Sequence, residues 1–315
     1  GCLFFPVTSS MYFQWLKWTA LRPLLLLRMS GARSKVEASG FTISCFMELQ
    51  QRNLVTPEDT GGVSVTFGDS GGVKELIELI AKREGIGDAL AEGSLRYTKT
   101  LGTAAEYYAM HAKGLELVPF EPRSQTNLAL GYAVAPIGPR YDICEHDWDF
   151  DTEVGWEHTL DLSRTLGILE RTPMNDEGIE KVRAFKVLNN LWSAADALDL
   201  CIFAIAPTRL LSLEQVAATL RGVTGWETSS YEIMRIGERR NHLMRAYNYR
   251  EGFGPEHDML PDRFFEEPIA EGPREGDILN REAFQTRLRS YYAMMGWDSR
   301  GVPLRETMID ARIGH

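Results

Sequence analysis

Between Leu188 and Phe203 the chain reads L-N-N-L-W-S-A-A-D-A-L-D-L-C-I-F, an apolar run of helical spacing that admits charge only at Asp196 and Asp199. A helix this apolar must be covered on most of its faces, so it demands a substantial helical protein around it. By residue type alone, a cysteine placed as Cys201 is here reads as a buried core residue.

The rest of the chain answers that demand. From about residue 36 the pattern is mainly helical, beginning with the apolar spacing of Thr42–Arg52. The alternating piece Val63–Phe67 predicts a short strand. After Gly68-Asp-Ser-Gly-Gly72 comes a helix over Val73–Glu84, which Gly85 is expected to cap, and Asp88 is expected to N-cap the next helix, Ala89–Arg96. Residues 113–160 read as loop-rich. Helices resume over 177–205, 213–220 and 231–245.

At 315 residues the chain can bury a large core, and its length suggests about two domains. Hydrophobic content of 44% and charged content of 25% fit a soluble globular protein. A net charge of −10 argues against nucleic acid, which needs a basic surface. The four cysteines, at 2, 45, 144 and 201, show no C-x-x-C spacing and no disulfide framework, so a cytoplasmic location is expected. Residues 1–35 differ in character. Their apolar stretch is interrupted by Lys17, Arg22 and Pro23 and falls short of the roughly 18–20 residues a membrane span needs, so no membrane association is expected. This segment reads as foreign to the fold behind it.

Two clusters invite chemical readings. Gly68-Asp-Ser-Gly-Gly72 copies the surroundings of a serine-protease nucleophile, but the first histidine is His111 and the flanks are helical, so a helix N-cap at Asp69 or Ser70 explains the residues. Cys144-Glu-His-Asp-Trp-Asp-Phe-Asp151 gathers possible metal ligands at a spacing that matches no metal loop, which favours a solvated acidic loop with Trp148 and Phe150 turned inward. His158 reads as structural.

Several separate blocks share a further property. Asp196-Ala-Leu-Asp-Leu-Cys201 resembles a D-x-x-G-L-C element, and Arg83-Glu-Gly-Ile-Gly-Asp-Ala-Leu-Ala-Glu-Gly93 resembles R-E-G-x-G-D-x-L-A-E-G. Lys113-Gly-Leu-Glu-Leu with Pro122-Arg123 is similar to K-x-L-E-x-P-x-x-D-P-R. Gly131-Tyr-Ala and Gly138 echo a loop that precedes an active-site histidine; Ile236-Gly-Glu-Arg239, Leu260–Phe264, Tyr291-Tyr292 and Gly296-Trp297 follow in order. These are elements of the aldehyde:ferredoxin oxidoreductase family, and the resemblance covers roughly residues 36–312.

The resemblance implies a mainly α, multihelical fold corresponding to the family's two C-terminal domains, one over 36–110 and one over 111–315 after the atypical 1–35. The family's N-terminal β-rich domain and its C-x2-C-x3-C motif have no counterpart in this sequence. Implied cofactors are a tungsten or molybdenum bis-pyranopterin and a 4Fe-4S cluster. Asp196 would hydrogen-bond pterin and Cys201 would ligate the cluster, with Asp199, Leu200 and Ile202 beside the cofactor. Asp199 departs from the family glycine. Tyr141 stands in place of the active-site histidine and is the candidate for proton transfer. Implied partners are ferredoxin, an aldehyde or acid substrate, and either a second copy of the chain or a separate N-terminal subunit. The competing reading is a truncated helical module that binds no cofactor or serves only as a partner-binding remnant.

Overall fold

The structure is a computed structural model that describes residues 36–201 and 210–314. The fold is mainly α-helical. It divides into two compact units, each assembled from separated stretches of chain. The first takes the described residues up to Glu121 together with Ile137–Pro139 and Leu260–Ile278; the second takes Pro122–Pro136, Arg140–Met259 and the chain from Leu279 onward.

In the first unit, α1 (Val36–Gln51) buries Ile43, Phe46, Met47 and Leu49 against Val73, Leu76, Ile77 and Ile80 of α2 (Ser70–Lys82). Each such side chain contributes about 2 kcal/mol by leaving water. Asp69 caps α2, its carboxylate accepting from the Gly71 and Gly72 amides at 3.1 and 2.9 Å. The G-D-S-G-G copy is thus a helix start. The expected strand over Val63–Phe67 does not form, because Gln50 of α1 takes its backbone bonds: its amide donates to the Val63 carbonyl at 2.8 Å and accepts from the Val65 N–H at 2.9 Å.

Helix α2 is closed by Arg83 in the left-handed region (φ 56°), and Gly85 instead starts α3 (Ile86–Leu90), so Asp88 lies inside that helix and pairs with Arg83. Gly87 has a packing reason: a Cβ there would lie 2.2 Å from the Leu79 carbonyl carbon. The expected single helix Ala89–Arg96 is two, because Gly93 (φ 93°) breaks the chain before α4 (Ser94–Leu101). The buried Glu116 carboxylate receives the Ser94 N–H at 2.7 Å and the Thr42 hydroxyl at 3.3 Å. It sits on β2 (Leu115–Glu116), paired antiparallel with β1 (His111–Ala112) after the short α5 (Thr103–Glu106). Arg263 ties residues 260–278 to α1 by gripping Glu48 at 2.8 and 2.9 Å.

The second unit is built around α6 (Thr126–Val134), which is buried at every residue, and α8 (Ile179–Ala197). Helix α6 also explains why 113–160 looks loop-rich in sequence: a helix covered on all sides has no amphipathic period to betray it. Gly131-Tyr-Ala is therefore helix and not loop. The acidic segment is not a solvated loop either. Asp147 is buried and accepts from the α6 amides of Asn127 and Leu128 at 3.3 and 3.0 Å and from Lys181 of α8 at 2.9 Å. Asp151 likewise receives the Met174 N–H at 2.8 Å. Phe150 is buried as expected, and the following α7 (Glu157–Ser163) carries an exposed His158 whose ring meets Trp156.

After α9 (Leu213–Thr224), α10 (Ser230–Arg250) runs back along α8. Gly237 makes the approach possible, since a Cβ there would lie 1.8 Å from the Asn190 carbonyl oxygen. One turn further, Asn241 donates to the side-chain oxygens of Asn189 and Asn190, both at 2.9 Å. Helix α11 (Arg281–Met294) closes the core with Tyr291, whose hydroxyl donates to Asn189 at 3.0 Å, and a final α12 (Arg305–Asp310) ends the chain. Trp297 donates its indole N–H to His242 Nδ1 at 2.9 Å.

Candidate functional site

Helix α8 ends where the sequence places its chemistry. Val182, Phe185, Leu188, Leu191 and Trp192 bury the helix, and the burial stops abruptly after Ala195. Asp196, Asp199 and Cys201 are exposed, and Leu200 is half-buried. Only Asp196 is helical; Asp199 to Cys201 follow the helix end, and Cys201 is not the core residue that its apolar neighbours suggest.

The helix ends in a Schellman turn. The Leu200 N–H donates to the Ala195 carbonyl at 2.9 Å and the Asp199 N–H to the Asp196 carbonyl at 3.2 Å, with Asp199 left-handed at φ 56°. Leu200 then packs beside Leu191, Ala194, Leu213 and Ile233, the apolar contact that accompanies this turn. The glycine of the D-x-x-G-L-C pattern is thereby accounted for: the position requires a left-handed backbone.

Asp196 is gripped by Arg240 of α10, whose guanidinium also donates to the Ser193 hydroxyl at 3.2 Å. Ser193 and Asp196 are three residues apart and share one face of α8. Nothing in the sequence pointed to Arg240. It adjoins the I-G-E-R block, but a charge on an amphipathic helix reads as a solvated face, and its partner lies 44 residues away.

Thiol chemistry separates the cysteines of the described residues. Burial pushes the Cys45 thiol up to about 12, with Glu48 and Glu116 adding to it, and burial raises Cys144 well above its ordinary value. Neither is a ready thiolate. Cys201 is the exposed thiol. Among the described residues, no three His, Cys, Asp or Glu side chains are grouped so as to hold a metal ion.

Tyr141 opens a 3-10 turn, Tyr141–Ile143; its side chain and the whole of Ile202 lie outside what the structure describes. Two residues on, Ile143 lines a small cleft with Val134, Asn189, Asn241, Asn248 and Tyr291. The structure brings Asp196, Asp199, Leu200 and Cys201 together as one helix end. Tyr141 belongs to a separate turn of the same unit.

The family model for aldehyde ferredoxin oxidoreductase, domains 2 and 3, matches residues 37–312. The chain is 32% identical over 266 residues to a tungsten-containing aldehyde ferredoxin oxidoreductase of Pyrococcus horikoshii, covering 83% of this chain and 40% of that protein. It is 30% identical over 271 residues to the protein of that name from Thermococcus kodakarensis, covering 85% and 41%. A Pyrococcus furiosus aliphatic sulfonate oxidoreductase, WOR-like subunit, is 28% identical over 279 residues, covering 85% and 38%. Among solved structures, the active site complex BamBC of benzoyl coenzyme A reductase with 1,5-dienoyl-CoA matches with a TM-score of 0.66 at 19% identity, over 89% of this chain and 44% of that one. This last likeness concerns fold alone. The chain spans about two-fifths of the length of the curated relatives it matches.

Proposed function

Because the chain belongs to the aldehyde ferredoxin oxidoreductase family, as its domain 2 and 3 region, we propose that it is the C-terminal part of a tungsten or molybdenum pterin oxidoreductase. The observation that carries this is the end of α8. A helix buried at every residue from Leu188 to Ala195 ends by bringing a carboxylate and, just beyond it, a soft thiol to the surface within six residues, Asp196 to Cys201.

The donor chemistry fits the cofactors in part. An ionised Asp196 accepts hydrogen bonds, which matches the N–H edge of a pterin. Cys201 supplies one accessible thiolate to a 4Fe-4S cluster, which normally takes four, so further ligands must come from outside the described residues. Leu200, and Ile202 by its type, provide the apolar flank. When bound, the metal–pterin group would supply two-electron oxidation of an aldehyde-level carbon to the acid, with water providing the added oxygen, two protons released, and the electrons leaving through the cluster to ferredoxin. The protein's part is to bind and orient. Tyr141 is assigned proton transfer, since a phenol can donate or accept at a reacting oxygen.

The test is co-expression of this chain with the remaining portion of a curated relative, followed by metal analysis, pterin quantification and EPR. Alone, the chain should hold no stoichiometric cluster. In the assembled protein, Cys201→Ser should lose or alter the cluster, because a hydroxyl replaces the soft ligand. Asp196→Asn should lose metal and pterin while the cluster stays. Full retention of tungsten, iron and activity by both variants would return the segment to a plain helix end and favour the module without cofactor.

A further inference from the structure

The geometry points to Arg240 as a positioning residue for pterin recognition, acting through Asp196; this inference rests on the pterin reading just given. Asp196 lies in the last turn of α8, where the aligned backbone dipoles concentrate negative potential, and that turn contains no basic residue of its own. A carboxylate there is repelled by its own helix end. Its side chain is 55% exposed, so packing does not fix its rotamer.

Arg240 supplies both missing elements. It crosses from α10 and is itself only 31% exposed. Its planar fork is held by two groups on one face of α8, the Ser193 hydroxyl and Asp196 Oδ2. The reach depends on the close helix approach at Gly237, three residues earlier on α10. Bonding through Oδ2 turns the carboxylate and holds it. Among the described residues no hydrogen bond goes to Oδ1, and Oδ2 retains a second lone pair. Both oxygens therefore still accept, which is what the parallel 2-amino and N3–H donors of a pterin require. Arg240 makes the helix-end carboxylate a pre-set acceptor pair.

The experiment is titration of the full chain with neopterin, read by quenching of the pterin fluorescence, for the unaltered protein, Arg240→Gln, Arg240→Lys, Asp196→Asn and the double variant Arg240→Gln/Asp196→Asn. Circular dichroism and the melting midpoint check that each variant folds. Expected is a roughly tenfold weaker Kd for Arg240→Gln, a similar loss for Asp196→Asn, and partial recovery in Arg240→Lys, which keeps the charge but not the fork. The double variant should be no weaker than Asp196→Asn, because a residue that acts only through Asp196 has nothing to position once that carboxylate is gone. Binding by Arg240→Gln equal to the unaltered chain, or losses that simply add in the double variant, would overturn the role of Arg240 while leaving the pterin reading intact. No binding by the unaltered chain, or an Asp196→Asn variant that binds normally, overturns the pterin reading itself.

Discussion

Asp199→Gly should stabilise the second unit, an unusual direction for a substitution inside a candidate site. Asp199 holds φ 56° at the residue after the α8 cap, where an L side chain costs about 1–2 kcal/mol and glycine costs nothing. It is exposed, so no packing is lost. Removing a carboxylate from a helix C-terminus adds about 0.3–1 kcal/mol. Against this stands glycine's extra freedom in the unfolded chain, about 0.5–1 kcal/mol. The balance is a gain of about 1 kcal/mol, or a midpoint about 2–4 °C higher for a unit of this class of size. Urea unfolding followed by tryptophan fluorescence measures it, with an unchanged slope required for the comparison. Asp199→Ala is the control that separates strain from charge: it removes the carboxylate but keeps the left-handed β-carbon, and should fall about 1 kcal/mol below the glycine variant. If glycine and alanine behave alike, or glycine lowers the midpoint, the account of this turn is wrong.

Gly237→Ala should cost about 3 kcal/mol or more in the same assay, because its Cβ would lie 1.8 Å from the Asn190 carbonyl oxygen and α10 would have to move off α8. Lys181→Met should cost about 3–5 kcal/mol, since Lys181 and Asp147 are only 2% and 0% exposed and the substitution leaves a buried carboxylate short of its cation. Stability should also fall with acid. Burial holds His242 below the ordinary imidazole value of 6.5, where its Nδ1 accepts from Trp297. The unfolded chain then binds the proton more readily, so the contribution of neutral His242 is complete above 6.5 and is lost as pH falls through the lower folded value. Glu238 and Asp310 oppose the burial, while Arg235 and Lys186 reinforce it. His242→Asn should flatten the fall in the unfolding midpoint between about pH 7 and 5; it should not abolish it, because His111 is depressed by burial in the same sense.

What the sequence made legible was whatever local spacing encodes. Helices α1, α2, α8 and α10 were visible because each repeats apolar residues at helical spacing over several turns, and Asp69 was visible as a cap because capping is a contact between near neighbours. The strand at Val63–Phe67 failed for a non-local reason, since the bonds a strand partner would have made come from one glutamine on another helix. The acidic segment failed in the same way. Its carboxylates look solvated until Lys181, more than thirty residues on, and the amides of α6 are seen to meet them. Composition registers charge but not what the fold brings to it.

The same distinction governs the site. Asp196 and Cys201 could be proposed from sequence because they belong to one short segment, and their exposure follows from the end of α8, where burial stops after Ala195. The glycine that the pattern calls for and Asp199 replaces is a backbone requirement, readable in principle from sequence and interpretable only from φ. Arg240 had no such signature. It reaches Asp196 only because Gly237 lets two helices close to backbone contact, so the residue that sets the carboxylate is specified by a glycine three positions away on its own helix. Enlarging that glycine should therefore disturb pterin recognition along with stability, whereas Arg240→Gln should disturb recognition alone, and the pair of variants separates the architecture of the site from its chemistry.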